Sequence, residues 1–187
     1  MTAQLLQKTN GIDLAKVEAL VAAVTEEATQ GKAAFQVATT WEGGTRSTTT
    51  VNSWQLGNQT LPRNFTIAID EPAELGGNDS APNPQEVLLA GLNSCVLTTY
   101  VALSALQGID LESVTIATEG ELDLRGFFKL DEAIHPGYQR LHYTISVKAR
   151  NATAEQLQAL HQAVQAVSPN FWNITHAVNL TTNLIVD

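Results

Sequence analysis

Residues 83–107 read NPQEVLLAGLNSCVLTTYVALSALQ, and this stretch decides the fold. Asn83 can cap a helix, and Glu86 stands three residues past it. Pro84 suits the first helical position, where its missing N–H would have had no partner in any case. Gly108 follows as a stop. From Val87 to Ile109 there is no Asp, Glu, Lys, Arg or His. That length would suffice for a bilayer span. Yet Asn93, Ser94, Thr98, Thr99, Ser104 and Gln107 are scattered through it, and no basic flank marks either end, so it reads as a helix enclosed by protein. A helix apolar nearly all round must be covered on every side. One small domain has little chain left for that, which predicts a homodimer with this helix packed against its symmetry mate and sheets wrapped outside.

The flanks supply those sheets. Residues 12–30 place Ile12, Val17, Leu20, Val21 and Val24 on one helical stripe, with Gly31 as a stop. From Phe35 to Ile69 the pattern turns to strands rich in Thr and Val. Gly43-Gly44 and Gly57-Asn58 break them into a three-stranded meander. Residues 71–83 are a loop dense in Gly, Pro, Asn and Asp. After the long helix, alternation returns in SVTIATEGELDL (113–124) and QRLHYTISVKA (139–149), with the loop RGFFKLDEAIHPG (125–137) between them. Thr153 and Gln156 form a capping box for a second helix expected to bury Leu157, Leu160, Val164 and Val167. SPNFWN (168–173) reads as a loop leading to a last strand near 177–186. Strands, helix, strands, helix and strand without βαβ alternation make an α+β fold.

Composition narrows the function. With 187 residues the chain can build a real core, and 44% hydrophobic against 16% charged residues argues for a globular protein over a disordered one. A net charge of −9 with no Lys or Arg cluster repels phosphate backbones and anionic lipid, so no nucleic-acid or membrane partner is expected. The first residues, MTAQLLQKTNGIDLAK, lack a secretory pattern, and the single cysteine leaves no intrachain disulfide; the cytoplasm is the expected location. No His/Cys/Asp spacing suits a metal, and no cofactor is expected.

The single cysteine, Cys95, sits in the middle of the long helix. Free cysteines are among the most buried residue types, and inert packing is the reading that composition alone favours. Helical geometry limits its partners. At about 100° per residue, Glu86 lies on the opposite face and serves as the cap partner, whereas Gln85 lies roughly 80° from Cys95. Cys95 is too far from the helix start for the dipole to act on it, so a reactive thiolate would need a cation from another segment. His135, His142, His161 and His176 do not suggest a Cys–His hydrolase, because no nucleophile-elbow motif surrounds Cys95.

The run NPQEVLLAGLNSC, preceded by ELGG at 74–77, resembles the helix start of the OsmC/Ohr family of osmotically induced and organic-hydroperoxide-resistance proteins. Later pieces are similar too: LESVTIATEGELDL, PGYQRLHYTISV and the helix ending in SPN. The resemblance spans residues 36–186, dividing the chain into an N-terminal helical extension (1–33) and an OsmC-like domain (34–187). It implies antiparallel sheets wrapped around long central helices in an intertwined homodimer, with sites at the subunit interface. It also implies a peroxidatic cysteine matching Cys95, a resolving cysteine in a Cys-Pro pair, and an Arg and a Glu that organise the thiolate.

The departures are as informative. The Cys-Pro position reads Ser168-Pro169, and the Glu position falls on Gln85. Arg46, after Gly43-Gly44, resembles the family's Arg, with Arg63 as a weaker substitute. The expected activity is a one-cysteine peroxidase in which Cys95 attacks an organic hydroperoxide, Arg46 holds the sulfur as thiolate, and an external thiol resolves the sulfenic acid. Gln85, Ser168, Phe171 and Trp172 would line the site, while Trp41, Trp54, Phe127 and Phe128 read mostly as core or lid. The alternative is a non-catalytic protein of the same fold that binds a small apolar ligand or senses oxidants through Cys95.

Overall fold

The structure is a computed structural model that describes residues 8–186; residues 1–7 of the N-terminal extension lie outside it. The chain forms two compact units, one through Leu88 and one from Leu89 onward, with the division inside the long helix.

The first unit opens with a hairpin of β1 (Lys8–Thr9) and β2 (Ile12–Asp13), followed by α1 (Leu14–Glu26). The helix starts two residues later than the stripe predicts, because Asp13 caps it by accepting from the Lys16 N–H, and Ile12 stays in β2. Leu20, Val21 and Val24 line an apolar cleft with Trp54 and Leu56. The meander is present. Short β3 (Ala33–Phe35) and β4 (Ala38–Trp41) pair with one side of β5 (Ser47–Leu56), and β6 (Gln59–Ile69) pairs with the other, all antiparallel. Pro62 is tolerated in mid-strand because β6 is an edge strand that need not donate outward.

The loop after β6 is built on one carboxylate. Asp70 is fully buried and accepts from Thr45 Oγ1 (2.6 Å), Ser80 Oγ (2.7 Å), and the N–H groups of Glu71 (2.9 Å), Asn78 (3.2 Å) and Ser80 (3.2 Å). These bonds, those from Thr45 and Ser80 foremost, hold its carboxyl well below the usual range. Gly76 and Gly77 of this loop are required for separate reasons. Gly76 takes φ 82°, and a Cβ on Gly77 would collide with the Glu71 backbone.

The long helix is α2 (Pro84–Leu106). Its start follows the sequence signal: Asn83 and Glu86 exchange two backbone-to-side-chain hydrogen bonds of 2.8 Å. Its end is a Schellman motif. Gly108 takes φ 69°, its N–H donates to Ala105 O (3.2 Å), and Ile109 N–H donates to Ser104 O (2.8 Å). It is the one described helix long and apolar enough to cross a membrane. Leu92, Val96, Tyr100 and Ser104, one i, i+4 row, are nevertheless buried, as expected of a core helix. The described residues of a single chain leave part of the helix uncovered, as expected where one small domain has too little chain to enclose it: Leu88, Leu97 and Leu106 are 36–54% exposed.

In the second unit the buried row of α2 meets α4 (Ala154–Val167) and a hairpin of β7 (Leu111–Gly120) and β8 (Leu141–Ala149). The core joins Leu92, Val96, Tyr100, Ile109, Leu160 and Val164, with Ile116, Leu141, Ile145 and Leu157 partly buried against it. Alternation along β8 turns Leu141, Tyr143, Ile145 and Val147 inward. A short helix, α3 (Leu124–Phe127), lies in the connection. The Thr153–Gln156 capping box starts α4 as the sequence indicates.

Three expectations fail in this unit. Val167 is 58% exposed, because the apolar stripe of α4 is spent by Val164 and the chain turns at Ser168. SPNFWN is largely helical: Pro169 starts α5 (Pro169–Thr175), with Ser168 as its cap. Residues 177–186 form no strand; they carry exposed Leu180, Leu184 and Val186, and no strand among the described residues lies beside them to complete a ladder.

Candidate functional site

Cys95 lies halfway along α2 and is half-buried. Two groups point at its sulfur, and both come from the junction of α4 and α5. Ser168 Oγ lies 3.6 Å from Sγ, and the Asn170 backbone N–H donates to it over 3.4 Å.

The local sequence explains both contacts. Ser168 ends α4, with its N–H bonded to Val164 O, and at the same time precedes α5, with its C=O accepting from Trp172 N–H. Its side chain makes no capping bond, so a hydroxyl that is 99% buried by residue remains available to the sulfur. Pro169 has no N–H, which makes Asn170 the first donor of α5. In the first turn of a helix that donor has no backbone acceptor of its own. The Asn170 side chain fixes the junction to α2 through Nδ2 and Gly91 O (2.9 Å). Thr99 Oγ1 donates to Cys95 O at 2.8 Å, a back-bond within the same turn of α2.

A second polar cluster lies deeper in this unit. The Tyr100 hydroxyl meets His161 Nδ1 at 2.5 Å, and Gln165 Nε2 donates to Tyr143 Oη at 2.9 Å. Burial pushes the Tyr100 phenol up to about 12, with a smaller contribution from Tyr143. Tyr100, Tyr143, His161 and Gln165 line a cleft of about 420 Å³ between β8 and α4. Phe171 links the two regions, packing edge-on against Tyr143 with ring centroids 6.1 Å apart.

The residues singled out in the sequence are distributed as follows. Cys95 and Ser168 are together. Phe171 packs against the core, while the neighbouring Trp172 is 57% exposed and stacks on His176 at 3.6 Å. Arg46 belongs to the first unit, where its guanidinium faces Glu42 at 3.5 Å beside the β4–β5 turn. Arg63, also there, lies over Trp54 and Phe65. Gln85 is exposed in the first turn of α2. Among the described residues no group of His, Cys, Asp and Glu could hold a metal ion.

Sequence reading missed the Asn170 N–H, although a signal was present. Ser-Pro-Asn is a cap, first-position and second-position sequence for a helix, and a helix there must present an unbonded N–H at its second residue.

Residues 76–183 match the family model described as OsmC-like protein. The uncharacterised protein YmaD of Bacillus subtilis is 26% identical over 102 residues, covering 54% of this chain and 62% of that protein. An OsmC-like protein from Mycoplasma pneumoniae superposes with a TM-score of 0.59 at 13% identity, over 75% of this chain and 86% of the other. An OsmC-like protein of unknown function from Vibrio cholerae gives 0.55 at 14% identity, over 73% and 90%. At these identities the structural likeness concerns the fold.

Proposed function

Because this chain belongs to the OsmC-like protein family, we propose that it is a one-cysteine thiol peroxidase acting on organic hydroperoxides. One observation carries the reading: the only sulfhydryl of the chain is half-buried, with a backbone N–H and a hydroxyl turned toward the sulfur. The thiolate is the nucleophile in this chemistry, and these two donors are placed to hydrogen-bond the sulfur.

The Cys95 thiolate attacks the distal oxygen of the hydroperoxide. The O–O bond breaks, the alkoxide takes a proton and leaves as the alcohol, and the sulfur becomes a sulfenic acid. Ser168, standing where the resolving cysteine is expected, cannot form a disulfide. An external thiol therefore attacks the sulfenyl sulfur and releases water, and a second thiol frees Cys95 from the mixed disulfide. Arg46 is the cation offered to the sulfur and the leaving oxygen, and Gln85, Phe171 and Trp172 are offered as further lining of the site. The partner is a second copy of the chain, a reading supported by the exposed Leu88, Leu97 and Leu106 on α2 and the exposed apolar residues of 178–186.

Two measurements test this. Stopped-flow reduction of cumene hydroperoxide should run well above the rate of free cysteine at the same pH, and Cys95→Ser should lower it to the uncatalysed background. A rate no faster than free cysteine removes the proposal and leaves the non-catalytic alternative. Sedimentation equilibrium should return twice the chain mass; a monomer at micromolar concentration removes the dimer.

A further inference from the structure

Without a second thiol, the sulfenic acid needs another way to avoid over-oxidation, and we propose that it closes onto the backbone nitrogen of Asn170 as a sulfenamide. This rests on the peroxidase reading, since a sulfenic acid must form first.

Three features of the α4–α5 junction point to that nitrogen. The first is approach: the Asn170 N–H donates to Cys95 Sγ over 3.4 Å, so the hydrogen occupies the direction in which an in-plane S–N bond would lie. The second is availability. A nitrogen within a helix surrenders a hydrogen bond to the carbonyl four residues back when it loses its hydrogen. Asn170 follows Pro169 in the first turn of α5, where no such bond exists, and its acceptor is the sulfur itself. The third is the Ser168 hydroxyl, buried and 3.6 Å from the sulfur without a capping role, which can donate to the sulfenyl oxygen as it leaves.

The chemistry balances without a further oxidant. The hydroperoxide has already oxidised the sulfur by two electrons and left as the alcohol. In the closing step the S–O bond breaks, the S–N bond forms, and the oxygen departs as water with the sulfenic hydrogen and the amide hydrogen. No electrons change hands. An external thiol then attacks the sulfur, the S–N bond breaks, the nitrogen recovers a proton, and a second thiol reduces the mixed disulfide. The closed form shields the sulfur from sulfinic acid formation while reductant is scarce.

Peptide mapping of the full chain is the test. Trypsin leaves Cys95 in peptide 64–125 and Asn170 in peptide 151–187, and the chain has no other cysteine that could join them. After oxidation with one equivalent of cumene hydroperoxide, these two peptides should appear joined, lighter than their sum by two hydrogens and separable by dithiothreitol. With dimedone present from the start, Cys95 should carry the dimedone adduct instead. Asn170→Pro removes the nucleophilic N–H and should abolish the joined species while leaving a dimedone-reactive sulfur. Asn170→Ala keeps the backbone N–H and should retain it. If Asn170→Pro fails to fold, the wild-type map decides alone. A wild-type chain that labels with dimedone but passes to sulfinic acid without joining overturns the sulfenamide and leaves the peroxidase standing. A chain that forms no dimedone adduct overturns both.

Discussion

Asp70 and Cys95 are both acceptors approached by donors from a neighbouring loop or helix junction, and they are satisfied very differently. Asp70, fully buried, receives five hydrogen bonds between 2.6 and 3.2 Å from Thr45, Glu71, Asn78 and Ser80. A carboxylate has about four lone-pair sites, so nothing is left over for a ligand. Cys95 is half-buried, with two longer contacts, of 3.4 and 3.6 Å. Saturation makes Asp70 a fixed anchor for the 70–80 loop and the turn bearing Thr45. Spare capacity and partial exposure leave the sulfur free to change its bonding, which a reagent requires and an anchor does not.

The contrast predicts that the two side chains fail in different assays. Asp70→Ala leaves two hydroxyls and three backbone N–H groups without their acceptor, and should cause the largest loss of stability to denaturant. Cys95→Ser, nearly isosteric, should unfold close to the wild type while losing all peroxide turnover. Asp70→Asn adds a pH signature. The folded carboxyl is held below its unfolded value of about 3.9. Its contribution is therefore fully present above that value and disappears as pH falls through the lower, folded one. The stability gap between wild type and Asp70→Asn should be constant from neutral pH down to roughly 5 and then close on further acidification. A gap that stays open in acid would mean that shape, and not charge, makes Asp70 the anchor.

The same division explains what the sequence disclosed. Features with a local cause were legible. Asn83 with Glu86, Thr153 with Gln156, and the Gly108 stop each act within a few residues, and the structure has all three. Alternation located β7 and β8, and Gly43-Gly44 and Gly57-Asn58 located the turns of the first sheet. What misled was pattern without a partner. Residues 177–186 alternate like a strand, but a strand needs a neighbour, and none pairs with them among the described residues. Apolarity around α2 called for more cover than one chain can give, and among the described residues of one chain only Leu92, Val96, Tyr100, Ser104 and Ala105 of the helix are buried. The Asn170 N–H escaped notice because a backbone donor has no letter of its own; only the helix start at Pro169 brings it to the sulfur. Ser168 was legible both as a lost thiol and, through the family resemblance, as a neighbour of Cys95, and its hydroxyl lies 3.6 Å from Sγ across 73 residues of chain.

Ser168→Cys sharpens the comparison at its smaller end, because it would convert the loosely held sulfur into one with a fixed partner. The serine oxygen already lies 3.6 Å from Sγ, so a thiol at this position would start close to its partner. Oxidation of this variant by cumene hydroperoxide should give an intrachain disulfide, lost on reduction, at the expense of both the dimedone adduct and the species joined at Asn170. In the chain-entropy account, closing a loop of that length stabilises the oxidised form by about 4 kcal/mol over the reduced one. Urea unfolding of the two redox forms measures this directly. Failure to form the bond would mean that Ser168 and Cys95 are held apart more rigidly than the half-buried, sparsely bonded sulfur suggests. The spare capacity that separates Cys95 from Asp70 would then be steric emptiness, and not freedom to react.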